Sequence, residues 1–214
     1  MTSQKITRRQ FLKQAGLTLG AMAIACSGLG YVATRTPALN TPELTYQKET
    51  TMNKTILITY ATRASSTAEI AAAIGETLAA RGFRAEIKPV KSNPSLAGYD
   101  AVILGSAIRM GNWLPEMVDF IKNNQQTLAK MPVSLFSVHM LHIEDDEASQ
   151  AMRLDYLKAI RPFLPPANVA FFAGKMDLAA LSFVDRLIAK MVKASNADLR
   201  DWSKIRTWAN EMPL

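Results

Sequence analysis

Five short apolar runs separated by helical stretches constrain this chain more than any other feature. The runs are Thr55 to Tyr60, Arg84 to Val90, Ala101 to Gly105, Pro132 to His139 and Val169 to Ala173. The first and third are almost continuously apolar, as strands covered on both faces of a parallel sheet must be. Between them lie helical patterns at Ala68 to about Arg81, Leu114 to about Leu128 and Ser149 to Phe163. Pro115 stands at an early helical position, where its missing N–H costs nothing. Pro162, Pro165 and Pro166 close the third helix, while Gly82, Pro94 and Gly98 punctuate the loops. Leu178 to Lys193 reads as a basic amphipathic helix and Leu199 to Glu211 as a final one. This alternation, without a long insertion, predicts an α/β domain. Its core is a doubly wound, five-stranded parallel sheet of order 2-1-3-4-5. In that order the ligand crevice opens between the carboxyl ends of strands one and three.

The loop after the first strand fits such a crevice. Thr62, Arg63, Ala64, Ser65, Ser66 and Thr67 join the strand to an alanine-rich helix. Backbone N–H groups and the positive end of the helix dipole converge there, and hydroxyls add donors that do not oppose an incoming anion. The loop has neither the glycines and lysine of a Walker loop nor the G-x-G-x-x-G of a dinucleotide fingerprint. It suits a single terminal phosphate monoester, as on FMN. An ordinary strand–helix turn capped by Ser and Thr accounts for the loop equally well.

The loop after the third strand runs Ser106, Ala107, Ile108, Arg109, Met110, Gly111, Asn112, Trp113. Gly105 and Gly111 let backbone approach a flat ligand. Met110 and Trp113 offer apolar surface to a flavin ring, with packing at the helix start as the plainer role for Trp113. Backbone amides there can tune a flavin, which is the protein's task in such a site. Arg109 either neutralises phosphate or an acidic substrate, or is a solvated surface charge. After strand four, Val138 and His139 stand near the same edge. His139 either lies by the flavin or satisfies a loop carbonyl. His139 and His142 suggest a metal pair, but Glu144 to Glu147 follow as a run and not at ligand spacing. No side-chain nucleophile or acid–base pair is evident, so chemistry here would be redox at a bound flavin.

Residues 1–33 read as an export signal and 34–53, with Pro37 and Pro42, as a linker to a domain at 54–214. Thr7-Arg8-Arg9-Gln10-Phe11-Leu12-Lys13 fits the bacterial twin-arginine pattern, followed by an uncharged, weakly apolar stretch from Gln14 to Thr34. That route carries folded proteins, which suits a chain that loads a cofactor before export. Three fates are open: cleavage after Ala25, lipidation of Cys26 in the lipobox-like Met22-Ala23-Ile24-Ala25-Cys26, or an uncut span. Met52 also makes a plausible internal start. Removing residues 1–25, which hold four cations and no acid, lowers the net charge from +7 to +3. That mildly basic balance, without an arginine-rich tract or aromatic platform, argues against nucleic-acid binding. Cys26 is the single cysteine, which excludes intramolecular disulfides, cysteine-based zinc sites and iron–sulfur clusters within one chain.

Several segments together resemble one family. They are Tyr60-Ala-Thr-Arg-Ala-Ser-Ser-Thr67, Gly105-Ser-Ala-Ile-Arg-Met-Gly111, Phe136-Ser-Val138, Ala173-Gly174 and Asp185-Arg-Leu-Ile-Ala-Lys-Met191. They are similar to flavodoxin-domain proteins related to the menaquinone-dependent protoporphyrinogen IX dehydrogenases of bacteria. The resemblance covers about Asn53 to Met212. It implies a flavodoxin-like fold, non-covalent FMN and, for the best-known members, oxidation of a porphyrinogen with electrons passed to quinone. Carried over, Thr62 to Thr67 is the phosphate loop, and Ser106 to Trp113 with Val138 to His142 are the flavin loops. That family loop often has glycine where this chain has Ser65. The resemblance implies an FMN-dependent oxidoreductase with a quinone partner. A flavodoxin-type electron carrier with a redox partner protein is the competing class, and membrane association would follow from Cys26.

Overall fold

The computed structural model describes residues 41–47, 52–164, 168–178 and 196–214. They belong to one compact unit, 38–178 with 195–214. The expected signal segment and the expected basic helix from Leu178 to Lys193 lie outside the described residues, apart from Leu178 itself.

The strands are β1 (Leu44–Tyr46), β2 (Thr55–Ala61), β3 (Arg84–Pro89), β4 (Ala101–Arg109), β5 (Asn112–Trp113), β6 (Val133–His139), β7 (Asn168–Ala173), β8 (Lys175–Met176) and β9 (Ala197–Asp198). The helices are α1 (Ser66–Ala80), α2 (Pro115–Asn123), α3 (Gln125–Leu128), α4 (Glu147–Asp155) and α5 (Trp202–Glu211). The main sheet runs β1-β3-β2-β4-β6-β7. Its five parallel strands, β3-β2-β4-β6-β7, are the expected 2-1-3-4-5 order.

Alternation along β2 explains the layering. Ile56, Ile58 and Tyr60 join one core with Ile70, Ile74 and Leu78 of α1 and Ile205 of α5. Leu57 and Ala61 point the other way, to Met117 and Ile121 of α2 and to Leu157 and Ile160. Each fully buried aliphatic side chain contributes about 1.5–3 kcal/mol. A strand buried on both sides therefore anchors the sheet. A one-residue slip would exchange the side chains offered to the two cores.

The structure departs from the expected elements in several places. Within the stretch read as linker, Leu44–Tyr46 pairs antiparallel with β3. Leu44 and Tyr46 share one face of that strand and pack against the α1 core, which the neighbouring prolines obscured. The second helix breaks at Asn124, whose side chain donates to the Phe120 carbonyl at 2.9 Å. That bond competes with the helical ladder. The third helix starts earlier, at Glu147, because the Asp146 carboxylate caps Ser149 N–H at 2.8 Å. It ends at Asp155, and the following turns still bury Tyr156, Leu157 and Ile160. The last helix begins at Trp202, not Leu199, with Asp201 accepting from Lys204 N–H at 2.9 Å.

The third strand is the most consequential difference. It continues to Arg109 and turns back as a hairpin, pairing Arg109 with Asn112 and Ile108 with Trp113. Met110 (φ 50°) and Gly111 (φ 73°) supply the two left-handed residues of a two-residue hairpin turn. Ser106 to Trp113 is thus a strand end and a β-hairpin, not an open loop.

Candidate functional site

The β2–α1 loop stands at the carboxyl edge of the sheet, beside the end of β4, where the chain direction reverses. Ser65 precedes the helix in a left-handed conformation (φ 65°) and makes no side-chain cap. This is the position where the resembling family often has glycine, and the backbone adopts the geometry that glycine favours. Ser66 N–H turns back to the Ala64 carbonyl at 2.8 Å, and Glu69 N–H reaches the Ser65 carbonyl at 3.1 Å. Thr67 and Ala68 stand too early in α1 to find a carbonyl four residues back within it.

The hydroxyls of this loop carry the strongest signal. Thr67 is fully buried and Thr62 is 5% exposed. Neither Oγ1 has a hydrogen-bond partner. A buried hydroxyl without a partner costs about 1–3 kcal/mol, so native proteins seldom leave one without a reason. Two such groups at the positive end of α1 fit an anion with several acceptor oxygens, and a phosphate monoester meets that description. Thr59 Oγ1 is buried and unpartnered too, within β2 rather than in the loop.

Arg63 is engaged elsewhere. Its guanidinium forms a two-pronged ion pair with Glu116, in the first turn of α2, with one contact at 2.8 Å. Burial pulls the Glu116 carboxyl up, but the Arg63 hydrogen bonds outweigh it and hold the group below the usual carboxylate range. The pair ties the β2–α1 loop to the helix that follows the hairpin. Glu116 had no sequence signal, since it lies 53 residues from Arg63. A second clamp joins Glu69, Arg200 and Asp198, with Arg200 donating to Asp198 at 2.6 Å and stacking over Trp202. Arg200 holds the Asp198 carboxyl down at about 2.

Several expected flavin-contacting side chains sit in the core. Trp113 is 2% exposed, and its indole N–H donates to Ser137 Oγ at 2.9 Å. The ring packs in the α2 core, so the expectation that it offers a face to a flavin is corrected. The hairpin turn rotates it inward. Ser106 is fully buried; its hydroxyl donates to the Ala107 carbonyl at 2.9 Å and accepts from Leu114 N–H at 3.0 Å. It therefore closes the hairpin onto α2. Val138 is buried in the α1 core. The expected role of Gly105 is corrected as well. A Cβ there would lie 2.0 Å from Phe136 Cζ, so this glycine makes room for a core ring and not for a ligand.

Ala107 and Ile108 are half-buried, while Arg109, Met110, Gly111 and Asn112 are exposed around the hairpin tip. Asn112 Nδ2 donates to the Met110 carbonyl at 2.9 Å. His139 ends β6 with 3% exposure, its Nδ1 2.7 Å from the Leu141 carbonyl and its Nε2 without a partner. Burial pushes its pKa below the ordinary imidazole value; the Leu141 bond opposes this, and the charges of Arg153, His142 and Lys204 add to it. Its Nδ1 thus meets a loop carbonyl, as one of the two sequence readings had it. Among the described residues no group of three or more His, Cys, Asp or Glu is placed to hold a metal ion. No helix among them is long and apolar enough to cross a membrane.

A doubly wound sheet with an anion cradle at its reversal point defines an α/β protein of the nucleotide- and flavin-binding kind. The chain belongs to the flavodoxin domain family, which it matches over residues 57–203. It is a flavodoxin-like redox protein. It is 25% identical over 172 residues to the protoporphyrinogen IX dehydrogenase [quinone] of Escherichia coli (strain K12), covering 73% of this chain and 93% of that one. The Leishmania major protein of the same name is 25% identical over 168 residues, covering 72% and 73% respectively. A solved flavodoxin of Fusobacterium nucleatum, bound to flavin mononucleotide, superposes with a TM-score of 0.44 at 17% identity, covering 74% of this chain and 96% of that one.

Proposed function

We propose that this protein binds FMN without a covalent bond and acts as an oxidoreductase that passes electrons to a quinone. The unpartnered, buried hydroxyls of Thr62 and Thr67 at the start of α1 carry the cofactor reading. With the Thr67 and Ala68 amides they would hold the phosphate. Backbone of the Ala107–Asn112 hairpin and of the loop after His139 would flank the ring. FMN, when bound, supplies one- and two-electron transfer at its isoalloxazine ring. The protein's part is to orient the group, exclude water and tune it through nearby N–H groups. Similarity to the quinone-linked protoporphyrinogen dehydrogenases supports a porphyrinogen as the electron donor.

The Arg8-Arg9 pattern favours a second reading, an exported flavodoxin-type carrier that serves a redox partner protein. We further propose export by the twin-arginine route, with lipid on Cys26 holding the domain at the outer face of the cytoplasmic membrane. Two acyl chains anchor far more stably than one.

The purified full chain should be yellow, with about one FMN per chain. A colourless protein that takes up no FMN overturns both readings. Quinone-dependent oxidation of protoporphyrinogen separates the dehydrogenase from the carrier. Changing Arg8 and Arg9 to Lys should trap the protein inside the cell, and Cys26→Ser should release it from the membrane fraction. Export of the Lys-Lys variant by the same route, or retention of the Cys26→Ser variant at the membrane, overturns the respective localisation step.

A further inference from the structure

Helix α4 is built inside out. Its buried side chains are Ser149 and Arg153. Its outward ones include Ala148, Ala151, Met152 and Leu154, with Met152 44% and Leu154 48% exposed. A surface helix normally turns its apolar stripe inward. Here the inner face serves the preceding loop instead. Arg153 Nη1 donates to the carbonyls of His142 and Glu144, both at 2.7 Å, and Asp146 caps Ser149 N–H. The same loop exposes Leu141 at 70% and Ile143 at 42%. Arg153 grips the carbonyls on either side of Ile143, so loop and helix form one surface. Single exposed apolar side chains are ordinary. Four large ones within residues 141–154, on a helix that hides its polar groups, mark a contact site.

Charge points to what covers it. Glu144, Asp145, Asp146 and Glu147 are consecutive and all exposed. Arg153 lies beneath the surface and reaches Asp145 only at 3.6 Å. Such a rim repels an anionic bilayer. In a two-fold dimer through this patch it would face its own copy, at a like-charge cost. We propose that the surface formed by residues 141–154 docks a partner protein that presents apolar side chains inside a ring of lysine and arginine. The apolar centre supplies most of the affinity, and the acidic rim sets encounter rate and register. The surface needs no bound flavin, so this inference stands apart from the cofactor reading. The loop leaves β6 directly after His139, which seats the partner at the carboxyl edge of the sheet.

The test uses the photo-crosslinker p-benzoylphenylalanine in place of Met152, in the full chain and in the cells that make it. Irradiation should link that position to a protein whose crosslinked peptide, read by mass spectrometry, carries apolar residues flanked by lysine or arginine. Adding Glu144→Gln with Asp145→Asn should lower the yield about fivefold, and so should high salt in a cell extract. The same probe at Lys130 should give no such product. The salt arm needs no second substitution, so a misfolded variant cannot mask the result. Adducts with lipid, with a second copy or with a peptide lacking basic residues overturn the proposal. So does a yield indifferent to salt, or no adduct at all.

Discussion

Replacing Thr67 by Val, alone and together with Thr62→Val, should move two measurements in opposite directions. Both hydroxyls are buried and neither has a partner. Valine keeps the shape and removes the desolvated oxygen. Leaving a hydroxyl buried and unbonded costs about 1–3 kcal/mol, so the flavin-stripped protein should gain on the order of 1 kcal/mol per site. Urea unfolding followed by circular dichroism measures that gain. FMN binding should suffer in return. A hydrogen bond to a charged phosphate is worth about 1.5–3 kcal/mol, so the dissociation constant should rise roughly tenfold to a hundredfold per site. Flavin fluorescence titration reads it. Thr59→Val is the internal control, because its hydroxyl is equally buried and unpartnered but belongs to β2. It should stabilise the protein and leave FMN affinity unchanged. Unchanged FMN affinity in the Thr62/Thr67 double variant would refute the phosphate assignment. Loss of stability in the flavin-stripped protein would refute the reasoning that these oxygens lack partners.

Ser137→Ala should destabilise the protein by about 1–3 kcal/mol in urea unfolding, because the Trp113 indole N–H is left buried without its acceptor. The FMN absorbance spectrum should not change, since the indole faces the core. Gly105→Ala forces a methyl into Phe136 and should cost about 1–3 kcal/mol; Phe136→Leu in the same chain should recover part of the thermal stability. His139 has its pKa lowered by burial, so below the ordinary imidazole value of about 6.5 the unfolded chain binds the proton more readily. Stability should therefore fall as pH drops through that value, with a slope of at most about 1.4 kcal/mol per pH unit, and His139→Gln should flatten the slope in urea titrations.

Local patterns in the chain were enough to establish the α/β class, the order of the five parallel strands and the hydroxyl loop at the start of α1. Each rests on information held within a few residues: apolar runs of strand length, helical periodicity between them, and Ser and Thr crowded at a strand–helix junction. The edge strand Leu44–Tyr46 and the Ser106–Trp113 hairpin escaped a local reading. The first depends on a partner strand about forty residues away, and the second on two non-helical φ angles at Met110 and Gly111. The side-chain assignments divided along the same line. That Thr62 and Thr67 face an anion cradle follows from where a helix begins. Burial of Trp113 against Ser137, the space Phe136 takes at Gly105, and the Glu116 carboxylate that occupies Arg63 all depend on distant segments meeting across the sheet. Sequence periodicity tells which face of an element is apolar, but tertiary packing alone decides what that face, and every polar group at its rim, finally meets.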